Sequence, residues 1–149
     1  MIRGGKITLC GIVAAVLVFV AAFAVVAADN KAPDVLTIKA ALWPTPTKAA
    51  VEFTHKKHAE EYKIACTDCH HKFDAGKNVW KEGDPVDKCD KCHTEPTIQG
   101  EKKLPPDQQK LNLKIAFHDN CQGCHQKLKK DKPDTKAPVT CTGCHPAQK

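Results

Sequence analysis

The feature that most constrains this chain is a five-residue pattern, C-x-x-C-H, present four times: CTDCH (Cys66 to His70), CDKCH (Cys89 to His93), CQGCH (Cys121 to His125) and CTGCH (Cys141 to His145). Residues i, i+3 and i+4 share one face of a helical turn. A single turn of this pattern can therefore make two thioether bonds to a porphyrin edge and offer one imidazole to its iron. A disulfide scaffold would use the cysteines but gives no reason for a histidine after every pair. Zinc sites take two C-x-x-C pairs around one tetrahedral metal and leave the repeated histidines surplus. The pattern predicts four covalent c-type haems, held through Cys66, Cys69, Cys89, Cys92, Cys121, Cys124, Cys141 and Cys144.

The second axial ligands follow from counting. The chain has eight histidines. His70, His93, His125 and His145 belong to the motifs, which leaves His55, His58, His71 and His118. In many single-haem cytochromes c the second ligand is methionine, but the only methionine here is Met1. The remaining histidines match the irons one for one, so the sequence predicts bis-histidine ligation throughout. His71 follows His70 directly. Adjacent side chains on a helix point about 100° apart, so the two cannot grip one iron from opposite sides. If His71 is a ligand, it serves a different haem from its neighbour's.

Residues 1–28 read as an export signal: Arg3 and Lys6 precede an uncharged run from Ile7 to Ala28 that ends in small residues. The run is long enough to span a bilayer, which keeps a retained anchor open. Cys10 stands early in the run, after Leu9, and belongs to this segment rather than to a haem site. Residues 29–149 form the expected haem domain. Their aliphatic residues are scattered in short groups such as VLTI and LNLKIAF. A core built from these alone would be thin, and small chains of this kind need a staple. The haems supply it.

The run VEFTHKKH (Val51 to His58), the CTDCHH that continues the first motif to His71, and FHD (Phe117 to Asp119) resemble the tetrahaem class III cytochromes c of anaerobic respiration. The resemblance covers Ala50 to the C-terminus. It implies that the two histidines of H-x-x-H serve different haems: His55 the one at Cys66 and Cys69, His58 the one at Cys121 and Cys124. It gives His71 to the haem at Cys89 and Cys92, and His118 to the haem at Cys141 and Cys144. All four sites here are C-x-x-C-H, whereas many members have C-x-x-x-x-C-H at the second and fourth, and His118 stands only three residues before Cys121. Both traits are similar to the second subtype, linked to membrane respiratory complexes. Partners implied are hydrogenase, formate dehydrogenase or a membrane-bound electron-transfer complex.

The expected fold class is small and mainly α, with much loop and a short two-stranded sheet, the core formed by four haems. Val35 to Ile38 and Ala50 to His55 read as the strands, with Val51, Phe53 and His55 on one side. WPTP (Trp43 to Pro46) is a turn or extended linker, and Gly76 to Val86, Thr94 to Pro106 and Asp131 to Val139 read as loop or connector. From Asp107 the spacing of Leu111, Ile115 and His118 predicts one continuous helical face.

An iron with two protein ligands has no exchangeable position, which catalytic metal centres generally need. Two imidazoles and exposure to water favour low potentials. The sequence therefore predicts a low-potential multi-electron carrier, exported to the periplasm or anchored at the inner membrane facing it, and not an enzyme. The alternative is a small multihaem reductase with one iron open to substrate, His118 being the distal ligand to lose. The formal charge of +6 falls to +4 without Arg3 and Lys6. Ionised haem propionates would offset it, so nucleic-acid binding does not follow. Lys127, Lys129, Lys130, Lys132 and Lys136 form a cluster that is a solvated face or a docking patch for an acidic partner.

Overall fold

The computed structural model describes residues 32–147. The expected export segment, with Cys10, lies outside the described residues.

Strands β1 (Leu36–Ile38) and β2 (Val51–Phe53) pair antiparallel, with Leu36 opposite Phe53 and Ile38 opposite Val51. Alternation puts Leu36, Ile38, Val51 and Phe53 on the half-buried side, while Thr37 and Glu52 face out and share a 2.7 Å hydrogen bond. His55 lies beyond the strand, in the helical turn that leads into a π turn at Lys57–Glu61. The connection between the strands is tied to the second motif. Ala41 N–H donates to Asp90 Oδ2 at 2.8 Å, and the Trp43 indole N–H donates to the Pro96 carbonyl at 2.8 Å.

A second hairpin, β3 (Phe73–Asp74) and β4 (Lys77–Asn78), stands at the edge of the stretch expected to be loop. The expected sheet is thus present and a smaller one joins it.

The single helix expected from Asp107 is interrupted. α1 (Pro106–Leu111) stops at Asn112, and α2 (Leu113–Phe117) begins there anew. Asn112 adopts extended backbone (φ −74°, ψ 120°), and its side chain caps α2 by accepting the Ile115 N–H at 2.9 Å. Leu111 is 48% exposed, and the expected continuous helical face is broken at Asn112. A π turn, His118–Gly123, carries the chain into α3 (Cys124–Asp131), and α4 (Cys141–Cys144) closes the described chain.

Among the described residues only Trp80, Leu113 and Asn112 are buried. Small domains need an enclosed apolar core or a substitute for one. Three buried side chains do not supply such a core.

Candidate haem sites

Each motif is one helical turn. The first two are 3-10 turns, Cys66–Asp68 and Cys89–Lys91, the third lies in the π turn and α3, and the fourth is α4. In three of them the motif histidine's backbone N–H donates to the first cysteine's carbonyl: His70 to Cys66 at 2.8 Å, His93 to Cys89 at 2.9 Å and His145 to Cys141 at 2.7 Å. That i to i+4 closure puts both sulfurs and the imidazole on one side of the turn.

No two of the eight motif cysteines are joined in a disulfide, so a disulfide scaffold is not what orders this chain. Burial pushes the Cys69, Cys89 and Cys144 thiols up, and Cys121 up to about 11. After burial, Cys69, Cys89, Cys144 and Cys124 add to the shift at Cys121, so a sulfur from each of the other three motifs lies within electrostatic reach of it. The Cys121 side chain is nevertheless open at its surface. Such thiols are not activated nucleophiles. Among the described residues no three potential ligands converge as a tetrahedral zinc would require.

The histidines meet in pairs. Ring centres of His55 and His70 are 6.3 Å apart, those of His58 and His125 6.1 Å, and those of His71 and His93 6.0 Å. Two imidazoles bound to one metal through bonds of about 2 Å each, with the ring radii added, have centres about 6 Å apart. Each pair joins one motif histidine to one of the four others, and the adjacent His70 and His71 go to different partners. His145 lies close enough to His118 to lower its pKa, after burial and Lys114. The paired rings at three motifs are spaced as bis-histidine haems would need.

Local packing orients these rings. Nδ1–H donates to a backbone carbonyl in His58 (Thr54, 2.9 Å), His93 (Lys110, 3.0 Å), His125 (Pro138, 2.8 Å) and His145 (Ala49, 2.7 Å). Such a bond fixes the tautomer, leaves Nε2 as the ligating atom and raises its basicity. Phe53 lies between the two histidines of H-x-x-H, its ring 6.0 Å from His55 and 4.6 Å from His58. Burial, with His55 and His71 nearby, lowers the pKa of His70; burial, then Lys114 and His145, lowers that of His118. Both shifts favour the neutral imidazole that binds metal.

The crowding of His118 against the third motif is relieved by the π turn. On a regular α-helix His118 and His125, seven residues apart, would point nearly the same way. The wider i to i+5 turn between them rotates His118 away from the side His125 uses.

Sequence reasoning passed over three residues that build these sites. Trp80 lies against His70 with ring centres 4.8 Å apart. Asn78 bonds the backbone on both sides of His71, through His70 O and Lys72 N. Asn112 joins the segment after the second motif to α2. Asn78 and Trp80 follow Gly76 closely, and a turn read there would have returned them toward the first motif.

Four one-turn attachment motifs with paired histidines define a multihaem c-type cytochrome. A model of the class III cytochrome c family matches residues 30–145, and the chain belongs to that family. Its cofactors are c-type haems, four in number, and the protein is a multihaem electron carrier. It is 36% identical to cytochrome c3 of Maridesulfovibrio salexigens over 125 residues, covering 79% of this chain and 98% of that one. To cytochrome c3 of Desulfovibrio desulfuricans it is 34% identical over 120 residues, 77% of this chain and 96% of that one. Similarity to the high-molecular-weight cytochrome c of Nitratidesulfovibrio vulgaris is 32% over 80 residues, 54% of this chain and 12% of that one.

Proposed function

We propose that this chain is a low-potential periplasmic carrier whose four haems are all bis-histidine. Cys66 and Cys69, with His70 and His55, hold the first haem. Cys89 and Cys92, with His93 and His71, hold the second. Cys121 and Cys124, with His125 and His58, hold the third, and Cys141 and Cys144, with His145 and His118, the fourth. When bound, the haems would supply one-electron exchange, with two histidines of this chain to each iron leaving no place for substrate. The protein's part is to fix the imidazoles and leave no iron free for substrate. The observation that carries this reading is the pairing of His55 with His70, His58 with His125 and His71 with His93 at 6.0 to 6.3 Å.

Electrons pass between periplasmic donors of hydrogenase or formate dehydrogenase type and a membrane respiratory complex. The cytochrome c3 relatives support the carrier role, and the uniform C-x-x-C-H spacing supports the membrane-side acceptor. Among the described residues no helix is long and apolar enough to cross a membrane. Intact mass of the native protein will decide whether residues 1–28 are removed or kept as an anchor.

Electron paramagnetic resonance of the fully loaded oxidised protein tests the ligation: four low-spin signals are expected. A high-spin signal, with rapid carbon monoxide binding to one reduced haem, would instead favour the reductase.

A further inference from the structure

We propose that Trp80 is a positioning residue for His70 and, through it, holds up the reduction potential of the haem at Cys66 and Cys69. The inference rests on the ligand reading above, with His70 as that haem's motif ligand.

Three of the four motif histidines are steered by Nδ1–H bonds to carbonyls, from Lys110, Pro138 and Ala49. For His70 no such bond is seen among the described residues. What faces its ring is the indole of Trp80, with centres 4.8 Å apart and planes inclined by 31°. The indole is 8% exposed, although every residue from His71 to Val79 is exposed. A large buried aromatic in so open a stretch is there for what it covers.

The indole is itself fixed. Its Nε1–H donates to the Pro85 carbonyl at 3.3 Å, and its backbone N–H donates to Asn78 Oδ1 at 3.1 Å. The same Oδ1 accepts the Lys72 N–H at 2.9 Å, while Asn78 Nδ2 donates to the His70 carbonyl at 3.0 Å. One amide thus grips the backbone of both residues, and the β3–β4 hairpin returns the chain so that it can. Val79 N–H to Lys72 O at 2.8 Å closes the loop.

The consequence concerns the electron equilibrium. A carbonyl on Nδ1 makes an imidazole a stronger donor and favours ferric iron, and access of water does the same. A ring held against the tilted face of an indole gains orientation without that added basicity, and the indole keeps water from it. Trp80 thereby preserves a larger ferrous fraction at this haem than an open histidine would.

The test uses the fully loaded protein, with haem-resolved nuclear magnetic resonance during a redox titration and electron paramagnetic resonance of the oxidised form. At fixed ambient potential near the first haem's midpoint, Trp80→Ala should lower its reduced-to-oxidised ratio at least threefold. The other three haems should change by less than half as much. Trp80→Phe, which keeps a stacking face, should restore the wild-type ratio and the low-spin g values of that haem. If Trp80→Ala does not load four haems, Trp80→Leu takes its place in the same comparison. An unchanged ratio, or equal changes in the Phe and non-aromatic variants, overturns the proposal alone, provided the wild-type first haem is low-spin. A high-spin first haem in the wild type overturns the ligand reading as well.

Discussion

The run from Pro106 to Asp131 and the stretch from Cys66 to His93 both carry haem-attachment cysteines, yet they hold their shape by different means. The run is nearly continuous helix with polar joints of its own. Leu113 is fully buried and Asn112 caps α2. Lys114 pairs with Glu101 at 2.7 Å and donates to the Ile98 carbonyl at 2.7 Å. The stretch has two 3-10 turns, a hairpin with two residues per strand, and one buried side chain, Trp80. Where the chain packs against itself it builds a scaffold. Where it wraps haem it leaves the core to the cofactor.

Removing the haems should break this comparison most visibly. With all eight motif cysteines changed to alanine, no covalent staple remains, and folding that is coupled to cofactor binding fails. Circular dichroism should show loss of a cooperative transition. Hydrogen exchange should show residual protection confined to 106–117. Equal protection of 66–93 would mean that the two regions do not differ as described.

His71→Ala sharpens the picture inside the weaker region. The ring of His71 is near that of His93 and belongs to a different pair from that of His70. The substitution should turn the second haem high-spin and leave the first low-spin in the paramagnetic spectrum of the loaded protein. Loss of low-spin character at the first haem instead would reverse the assignment.

Asn112→Ala probes the stronger region. Asn112 is fully buried; its Nδ2 donates to Glu95 Oε2 at 2.5 Å and to the Thr97 carbonyl at 2.8 Å, while its Oδ1 accepts the Ile115 N–H. Truncation strands these partners and should cost about 2–3 kcal/mol. Denaturant unfolding of the loaded protein measures it. Since Glu95 N–H and O bond the backbone of Leu111 and Leu113, the loss should loosen the link between the second motif and α2.

A smaller effect comes from Glu101. The hydrogen bond from Lys114 holds its carboxyl below the usual glutamate value. A depressed folded pKa gives stability that is present above the unfolded value, near pH 4.5, and lost as pH falls through the folded one. Glu101→Gln should flatten the unfolding midpoint in that acidic window and leave the profile above it parallel to wild type.

The haem-attachment turns and the first sheet were legible in the sequence because they are local. C-x-x-C-H prescribes its own turn, and alternation in Val51, Glu52 and Phe53 prescribes a strand. The pairing of histidines is not local: His58 meets His125 and His118 lies near His145. No spacing encodes that, and only the family resemblance suggested it. The break at Asn112 was hidden because Leu111, Ile115 and His118 keep helical spacing straight through it. Whether an asparagine caps a new helix depends on Glu95 and Thr97 arriving from elsewhere to bury it. The π turn was invisible for a similar reason, since one extra residue per turn leaves no mark on composition. The β3–β4 hairpin escaped because Phe73-Asp74 and Lys77-Asn78 contain no β-branched residue and are too short to alternate.

That hairpin supplies the finest test of the contrast between the regions. Its two-residue loop, Ala75-Gly76, has φ of 46° and 78°, positive at both positions, as a type I′ turn requires. Gly76 adopts this freely, but Ala75 carries a Cβ into the left-handed region, which costs roughly 1–2 kcal/mol for an ordinary residue. Asparagine tolerates that conformation better, so Ala75→Asn should stabilise the loaded protein by about 0.5–1 kcal/mol. Ala75→Gly should gain less, because glycine also widens the unfolded ensemble. Thermal unfolding of the three proteins gives the order Asn above Gly above Ala if the hairpin contributes to global stability. If all three unfold together, the haems alone hold residues 66–93, and the hairpin's remaining task is to place Asn78 and Trp80 over His70.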